Sequence, residues 1–494
     1  MAERARPSRP RPRRRRADPA RRAAYDVLRA VADRDAYANL LLPALLTERG
    51  LTGRDAAFAT ELTYGTLRGR GTYDAIVAAC SDRDQLDPTV RDVLRLGAHQ
   101  LLATRVGPHA AVATSVDLAK DVCGPRPSGF VNAVLRRVAT RDLDGWTEIV
   151  APSRDRDPYG YLAVRHSYPR WIIEAFADAL GQASAAELEA ALAAGNLRPD
   201  VVLAVTPGRP ASQDPASQDP ASQDPASQDP ASQDPGAPGT TPTRWSPYGL
   251  RLAAGDPAPY VASGQVVVQD EASQLAALAL TRVSLSPTGN ASDPVPDRLW
   301  LDLCAGPGGK ARLLAGLAAE RGARLVASDV RPHRAGRVLD ALRRADLDGA
   351  EFDRAVIAAD GRQVPWRPGT FDRVLADVPC SNLGSLRRRP EARWRKTPDG
   401  VPELAVVQRE LLNAAIESVR PGGVVAYVTC SPHLAETRDV VTAVAGLRGD
   451  VTILDAPSVL ADVPGLCASD PRFAQFWPHR HGTDAIFLAL LKRD

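Results

Sequence analysis

Apolar residues recur at helical spacing through the first part of the chain. Tyr25, Val27 and Leu28 open one amphipathic stretch, Leu40, Leu41, Leu42, Leu45 and Leu46 form a second, and Val93, Leu94, Leu96, Leu101 and Leu102 a third. No strand-like alternation interrupts them, so residues 17–145 are expected to form an all-α domain of five to seven helices. Residues 150–265 are mixed. Pro169-Arg170-Trp171 opens a helix running to about Leu180, with proline near its first turn. A helix over Ala183–Ala194 follows, then a strand over Val201–Val205 with Leu250–Leu252 as its partner, giving a small α+β domain. Residues 266–494 alternate short apolar runs with helical segments, the pattern of a parallel, Rossmann-like α/β sheet. Its expected strands are Leu299–Leu303, Arg324–Ser328, Arg354–Ala358, Arg373–Ala376, Val424–Val428 and Ile486–Leu491, with a helix over Thr437–Leu447. The fold class is therefore α followed by α/β, in several domains.

Two segments stand outside this pattern. Ala-Ser-Gln-Asp-Pro repeats five times over residues 211–235. A five-residue period with proline and nothing apolar larger than alanine cannot build a core, so residues 211–240 are expected to be a disordered insertion in a surface loop. Residues 1–16 hold eight arginines and one glutamate, a net +7, which leaves −4 on the rest of a chain whose total is +3. Such an arm suits phosphate, although an unspecific solvated tail has the same composition. No run of about 18 apolar residues exists to span a membrane, and no apolar segment follows the arm to make it a secretory signal. Six cysteines in 494 residues are no disulfide framework. A reducing cytoplasm is expected, where reactive thiols survive.

The run Leu-Asp-Leu-Cys-Ala-Gly-Pro-Gly-Gly-Lys-Ala, residues 301–311, takes a strand through a glycine-rich turn into a helix. Small residues let backbone approach a ligand, and the helix start offers free N–H groups. A phosphate loop of the Walker type fails, because Cys304 and Ala311 stand where glycine and Ser/Thr are needed. A dinucleotide fingerprint fits nominally as Gly306-x-Gly308-x-x-Ala311. S-adenosylmethionine is the third option, held by Cys304, Ala305, Gly306, Pro307, Gly308, Gly309 and Lys310. Asp329, at the end of the next strand, can accept both ribose hydroxyls, or simply cap a helix. Asp360, after the third strand, can meet the adenine amino group, or simply make a turn before Gly361.

The fourth strand ends in Asp377-Val378-Pro379-Cys380 and the fifth in Thr429-Cys430-Ser431. Carboxyl ends of neighbouring strands share one crevice in a doubly wound sheet, so Asp377, Cys380 and Cys430 should converge beside the glycine loop. A single cysteine is usually just a small buried residue; two at strand ends beside a nucleoside site suggest chemistry. Cytosine C5 is a poor nucleophile. A thiolate adding to C6 turns C5 into an enamine-like carbon able to attack a methyl sulfonium. A carboxylate such as Asp377 can orient the ring, and Lys310 can support the thiolate or contact the substrate.

Leu-Asp-Leu-Cys-Ala-Gly-Pro-Gly-Gly-Lys, Asp-Val-Pro-Cys-Ser and Tyr-Val-Thr-Cys-Ser resemble the cofactor, Pro-Cys and Thr-Cys motifs of RNA cytosine-5 methyltransferases, as does residues 266–276 before the glycine loop. Residues 61–68, 93–102 and 129–137 resemble the NusB-like RNA-binding helical domain. The fusion resembles the RsmB/Sun family, which methylates a loop cytosine of 16S ribosomal RNA. The resemblance implies that Cys430 is the nucleophile, that Cys380 assists product release, and that S-adenosylmethionine is the cofactor. DNA cytosine methyltransferases use the Pro-Cys cysteine instead; having both favours RNA. Gly306, Val378 and the segment after Cys430 depart from the family's commoner residues. Residues 387–396 hold Arg387, Arg388, Arg389, Arg393, Trp394 and Arg395, which suit phosphate contact and base stacking, or equally a charged surface loop. Cys80, Cys123, Cys304 and Cys467 are expected to be structural. The chain is expected to act as a monomer without metal or membrane. A tRNA cytosine methyltransferase and a non-catalytic NusB-like RNA-binding factor are the alternatives.

Overall fold

The computed structural model describes residues 17–181, 185–208, 239–253, 255–287, 297–345, 347 and 355–494. The basic arm and the five-fold repeat lie outside these residues. The chain divides into two compact units. One runs through Ile173 and takes in Arg389–Arg395; the other holds Glu174–Arg388 and Lys396–Asp494.

The first unit is helical. Seven helices, from Pro19–Arg34 to Ser128–Val138, cover the span where five to seven were expected. Several start on an aspartate whose carboxylate accepts a first-turn amide, with proline next in line: Asp18 takes Arg21 N and Asp87 takes Thr89 N. Their apolar stripes meet in one core containing Leu62, Val93, Leu94, Leu96, Val131 and Leu135. Arg389–Arg395 packs into this unit. Arg393 is fully buried with its guanidinium 3.6 Å from the ring centre of Tyr168, and Arg395 donates to the carbonyls of Val31 and Ala36.

The second unit holds two sheets. Strands β1 (Val201–Val205), β2 (Thr240–Pro242), β3 (Gly249–Leu252) and β4 (Val266–Val268) make a small sheet in the order β2-β3-β1-β4. The expected pairing of β1 with Leu250–Leu252 is present and antiparallel. The large sheet contains β5 (Leu299–Asp302), β6 (Arg324–Asp329), β7 (Val356–Ala358), β8 (Phe371–Asp377), β9 (Val419–Thr429), β10 (Val451–Leu454), β11 (Ala474–Gln475) and β12 (Phe487–Arg493), in the order β10-β12-β9-β8-β5-β6-β7 with β11 paired to β12. Neighbours from β9 to β7 are parallel, while β12 runs against β9. Alternate strand residues go to opposite faces: Trp300, Val424 and Ala426 pack on one side, and Leu301, Val425 and Tyr427 on the other. Helices Glu271–Arg282, Gly309–Glu320 and Pro332–Arg343 cover the first face, and Gly400–Ser418 and Arg438–Gly446 the second. The chain steps from β5 outward to β7, then returns to β8 on the other flank of β5. A crevice opens at such a reversal, at the carboxyl ends of the strands. Among the described residues no helix is long and apolar enough to cross a membrane.

Candidate active site at the carboxyl edge of the sheet

The glycine loop follows β5. Ala305 N bonds to Ser328 O at 2.8 Å and Gly308 N to Ala305 O at 2.8 Å, so the turn folds back on the end of β6. Gly308 has φ 113°, and a Cβ there would meet Ala341 Cβ at 2.9 Å; only glycine lets the helix at Gly309 start this close to its neighbour. Asp329 ends β6 and accepts Gly306 N at 3.1 Å and Arg331 N at 2.9 Å. Arg334 reaches over it, with Nε 3.4 Å from Asp329 and a bond to Gly306 O. Asp360 follows β7, but Arg362 grips its carboxylate at 2.7–3.2 Å and holds its pKa below the ordinary value. An adenine would have to share Asp360 with Arg362.

Asp302, the last residue of β5, is fully buried, and neither carboxylate oxygen meets a donor at hydrogen-bonding distance. Burial pushes its pKa up to about 8, with Asp377 adding to the rise and Lys310 and the Cys304 amide only partly offsetting it. Burial raises the Cys304 thiol as well, with the surrounding carboxylates behind it. Sequence reasoning passed over Asp302; its place at the end of the strand, two residues before Cys304, was the available signal.

Lys310 points from the helix start to Asp377 at the end of β8, Nζ to Oδ2 2.9 Å, and to Ser273 Oγ at 3.3 Å. Burial alone would lower the ammonium's pKa; Asp377 and then Cys430 and Asp302 raise it above the ordinary lysine value. The ammonium therefore keeps its charge.

Cys380 and Cys430 meet as expected from neighbouring strand ends, Sγ to Sγ 3.2 Å. Asn382 fits between their loops: Nδ2 donates to Cys380 O at 2.8 Å, and Cys430 Sγ donates to Oδ1 at 3.0 Å. The bond to Cys430, then burial, push the Cys380 thiol well above the ordinary cysteine range. Gly384 N donates to Cys430 O at 2.9 Å, and a Cβ at Gly384 would lie 1.8 Å from Ala485 O, so the loop touches β9 and the entry to β12 at a point where no side chain fits.

A carboxylate ties the two cysteine loops together. Glu436 is fully buried. It accepts Ser381 N at 2.7 Å, the Ser381 hydroxyl, Ser431 Oγ at 2.7 Å and Gln408 Nε2 at 3.2 Å. Gln408 also holds Pro379 O at 2.9 Å. None of Glu436, Gln408, Ser381, Ser431 or Asn382 was singled out from sequence.

The arginine run does not form a free cationic surface. Arg387 and Arg388 both bind Asp270 and Asp484, four groups that are largely buried together. Arg393 and Arg395 are held inside the helical unit as described, Trp394 packs under Arg70, and Arg389 lies 5.3 Å over the Tyr37 ring. Carboxylates, backbone carbonyls and an aromatic face already engage the guanidiniums of Arg387, Arg388, Arg393 and Arg395, where phosphate contacts were expected. Of the cysteines expected to be structural, Cys80 is buried, whereas Cys467 is exposed.

The family described as 16S rRNA methyltransferase RsmB/F matches residues 290–492, and the NusB family matches residues 18–140. A putative methyltransferase of Mycobacterium tuberculosis is 49% identical over 98% of both chains. The ribosomal RNA small subunit methyltransferase B of Pseudomonas putida is 32% identical, over 95% of this chain and 98% of its own. The chain belongs to the RsmB/F family. Membership makes it an S-adenosylmethionine-dependent RNA methyltransferase. A crystal structure of a protein named PH0851 shares the fold, with a TM-score of 0.71 and 22% identity over 97% of this chain and 100% of its own. The crevice of this RsmB/F member fits the cofactor. A bare buried carboxylate at Asp302 beside an open helix start suits a ligand that carries both an ammonium and a carboxylate.

Proposed function

We propose that the protein forms 5-methylcytosine in 16S ribosomal RNA through a covalent bond between Cys430 and cytosine C6. The thiol pair at 3.2 Å beside the Lys310–Asp377 ion pair carries this reading. The names of the relatives carry the choice of RNA. The NusB-like helical domain over residues 17–145 serves RNA binding, and the protein works as a monomer in the cytoplasm.

S-adenosylmethionine, when bound, supplies an electrophilic methyl group on a sulfonium. Asp302, Asp329 and the 304–310 loop would hold it. Two negative sulfurs this close would repel strongly, so the pair carries at most one charge. Cys380 is the member held protonated, and its S–H can donate to the Cys430 sulfur. Cys430 bonds to C6, and the C5–C6 π electrons make C5 the nucleophile that takes the methyl group. Once Cys430 is bonded to carbon it no longer bears charge, the interaction that held the Cys380 proton is gone, and Cys380 passes that proton to water in the crevice. It then removes the C5 proton; the C5=C6 bond re-forms and the C6–S bond breaks. Asp377, held by Lys310, lies at the end of β8 to orient the ring.

The test combines labelled S-adenosylmethionine, unmodified 16S rRNA and the variants Cys430→Ala and Cys380→Ala. Cys430→Ala is expected to lose both methyl transfer and the denaturant-stable RNA adduct. Cys380→Ala is expected to accumulate an adduct it cannot release. Swapped results would swap the roles. Transfer to tRNA alone would replace the substrate, and RNA binding without any transfer would favour the binding-factor alternative.

A further inference from the structure

Asn382 occupies a backbone conformation, φ 61° and ψ 27°, that glycine enters without strain and that asparagine tolerates better than most side chains. Among the described residues only Asp35 and Ser167 share a positive φ without being glycine. A side chain at such a position is conspicuous when it ends on a reacting atom. The orientation of its amide is fixed by chemistry. Cys380 O can only accept, so Nδ2 must face it at 2.8 Å, and Oδ1 is left 3.0 Å from Cys430 Sγ. Oδ1 can accept an S–H but offers only lone pairs to a thiolate.

We propose that Asn382 is a latch on Cys430, holding the RNA-free enzyme's sulfur as an S–H turned onto the Asn382 carbonyl. A hydrogen bond to the protonated form favours that form. When the proton leaves, the same contact becomes repulsive and the sulfur swings off Oδ1 into the crevice. The other groups around the sulfur are the Cys380 thiol in the neighbouring loop, the Lys310 ammonium with Asp377, Asp302 at the end of β5, and Glu436 behind the two loops. Of these only Lys310 is cationic, and Asp377 already neutralises it. The latch would thus spare a half-buried nucleophile at the crevice from alkylation and oxidation until substrate arrives. The functional value of the latch rests on the reading of Cys430 as nucleophile; the contact does not.

The test is alkylation of the full chain without RNA. Iodoacetamide labelling of the Cys430 peptide is followed by mass spectrometry from about pH 6 to about pH 10, either side of the ordinary cysteine value of about 8.5. Asn382→Gly keeps the backbone unstrained and removes only the amide. Its Cys430 should label about five-fold faster near pH 7, with the rate profile moved toward acid. Asn382→Asp keeps the shape and adds negative charge, and should move the profile toward base. Profiles of both variants lying on that of the wild type, with unchanged melting, would overturn the proposal and leave Asn382 a turn residue. Labelling needs no catalysis, so this outcome is independent of whether Cys430→Ala loses methyl transfer.

Discussion

Each end of the crevice buries a carboxylate, and the two are treated in opposite ways. Glu436, at the cysteine end, is surrounded by donors from Ser381, Ser431 and Gln408. Asp302, at the glycine-loop end, meets none at bonding distance. A buried charge with its donors in place is a fastener: it cross-links two loops and has nothing left to offer a ligand. A buried carboxyl without donors is costly to ionise and gains most from a cation delivered to it. One end is finished by the protein itself, and the other is finished when the cofactor binds.

Removing the fastener should have the largest effect. Glu436→Ala strands four donors in the interior, and we expect a loss of about 3–5 kcal/mol in chemical denaturation together with loss of RNA adduct. If stability falls but adduct formation persists, Glu436 does not set the cysteine geometry. A similar cost, about 3 kcal/mol, is expected for Arg387→Ala, which leaves Arg388 as the one arginine partner of both Asp270 and Asp484 among the described residues. That variant's RNA affinity should keep the wild-type slope against salt, because Asp270 and Asp484 already engage Arg387.

The bare carboxyl predicts a gentler pattern. Its folded pKa of about 8 lies above the ordinary carboxyl value. The native state therefore holds its proton longer than the unfolded chain, and this contribution to stability is present below about pH 4 and lost as pH rises through about 8. Asp302→Asn should remove that fall, seen as a flatter melting temperature over the same range. It should also weaken S-adenosylmethionine binding about 10- to 100-fold by calorimetry, and abolish the strengthening of wild-type binding with rising pH. The smallest change is expected from Arg334→Ala. Its side chain is 37% exposed and its bond to Asp329 is long, so cofactor affinity should move by no more than about three-fold.

The same contrast explains what sequence could disclose. The glycine loop and the Pro-Cys and Thr-Cys ends were legible because a parallel sheet collects whatever follows each strand at one edge. Asp377, Cys380 and Cys430 needed only strand positions to be placed together. The fasteners were not legible, because their meaning lies in partners far along the chain. Glu436 is 55 residues from Ser381 and 28 from Gln408. The partners of the arginine run were hidden for the same reason: the carboxylates that bind Arg387 stand 97 and 117 residues away. A run of like charges looks solvated until those partners are known. Strands β4 and β10 were missed because they are short and only partly buried, so no long apolar run marks them.

The position of β12 has a consequence for the order of events during synthesis. Thr429 pairs with Phe487, and Ala485 N holds Gly384 O, so the strand that presents Cys430 and the loop that presents Cys380 both lean on residues made more than fifty positions after Cys430. A ribosome that has finished both cysteine motifs has not yet supplied the surface that sets them. The nascent chain thus carries its nucleophile unassembled until nearly all of the large sheet has been translated, and a product truncated before Ala485 would hold every catalytic motif without the geometry to use them.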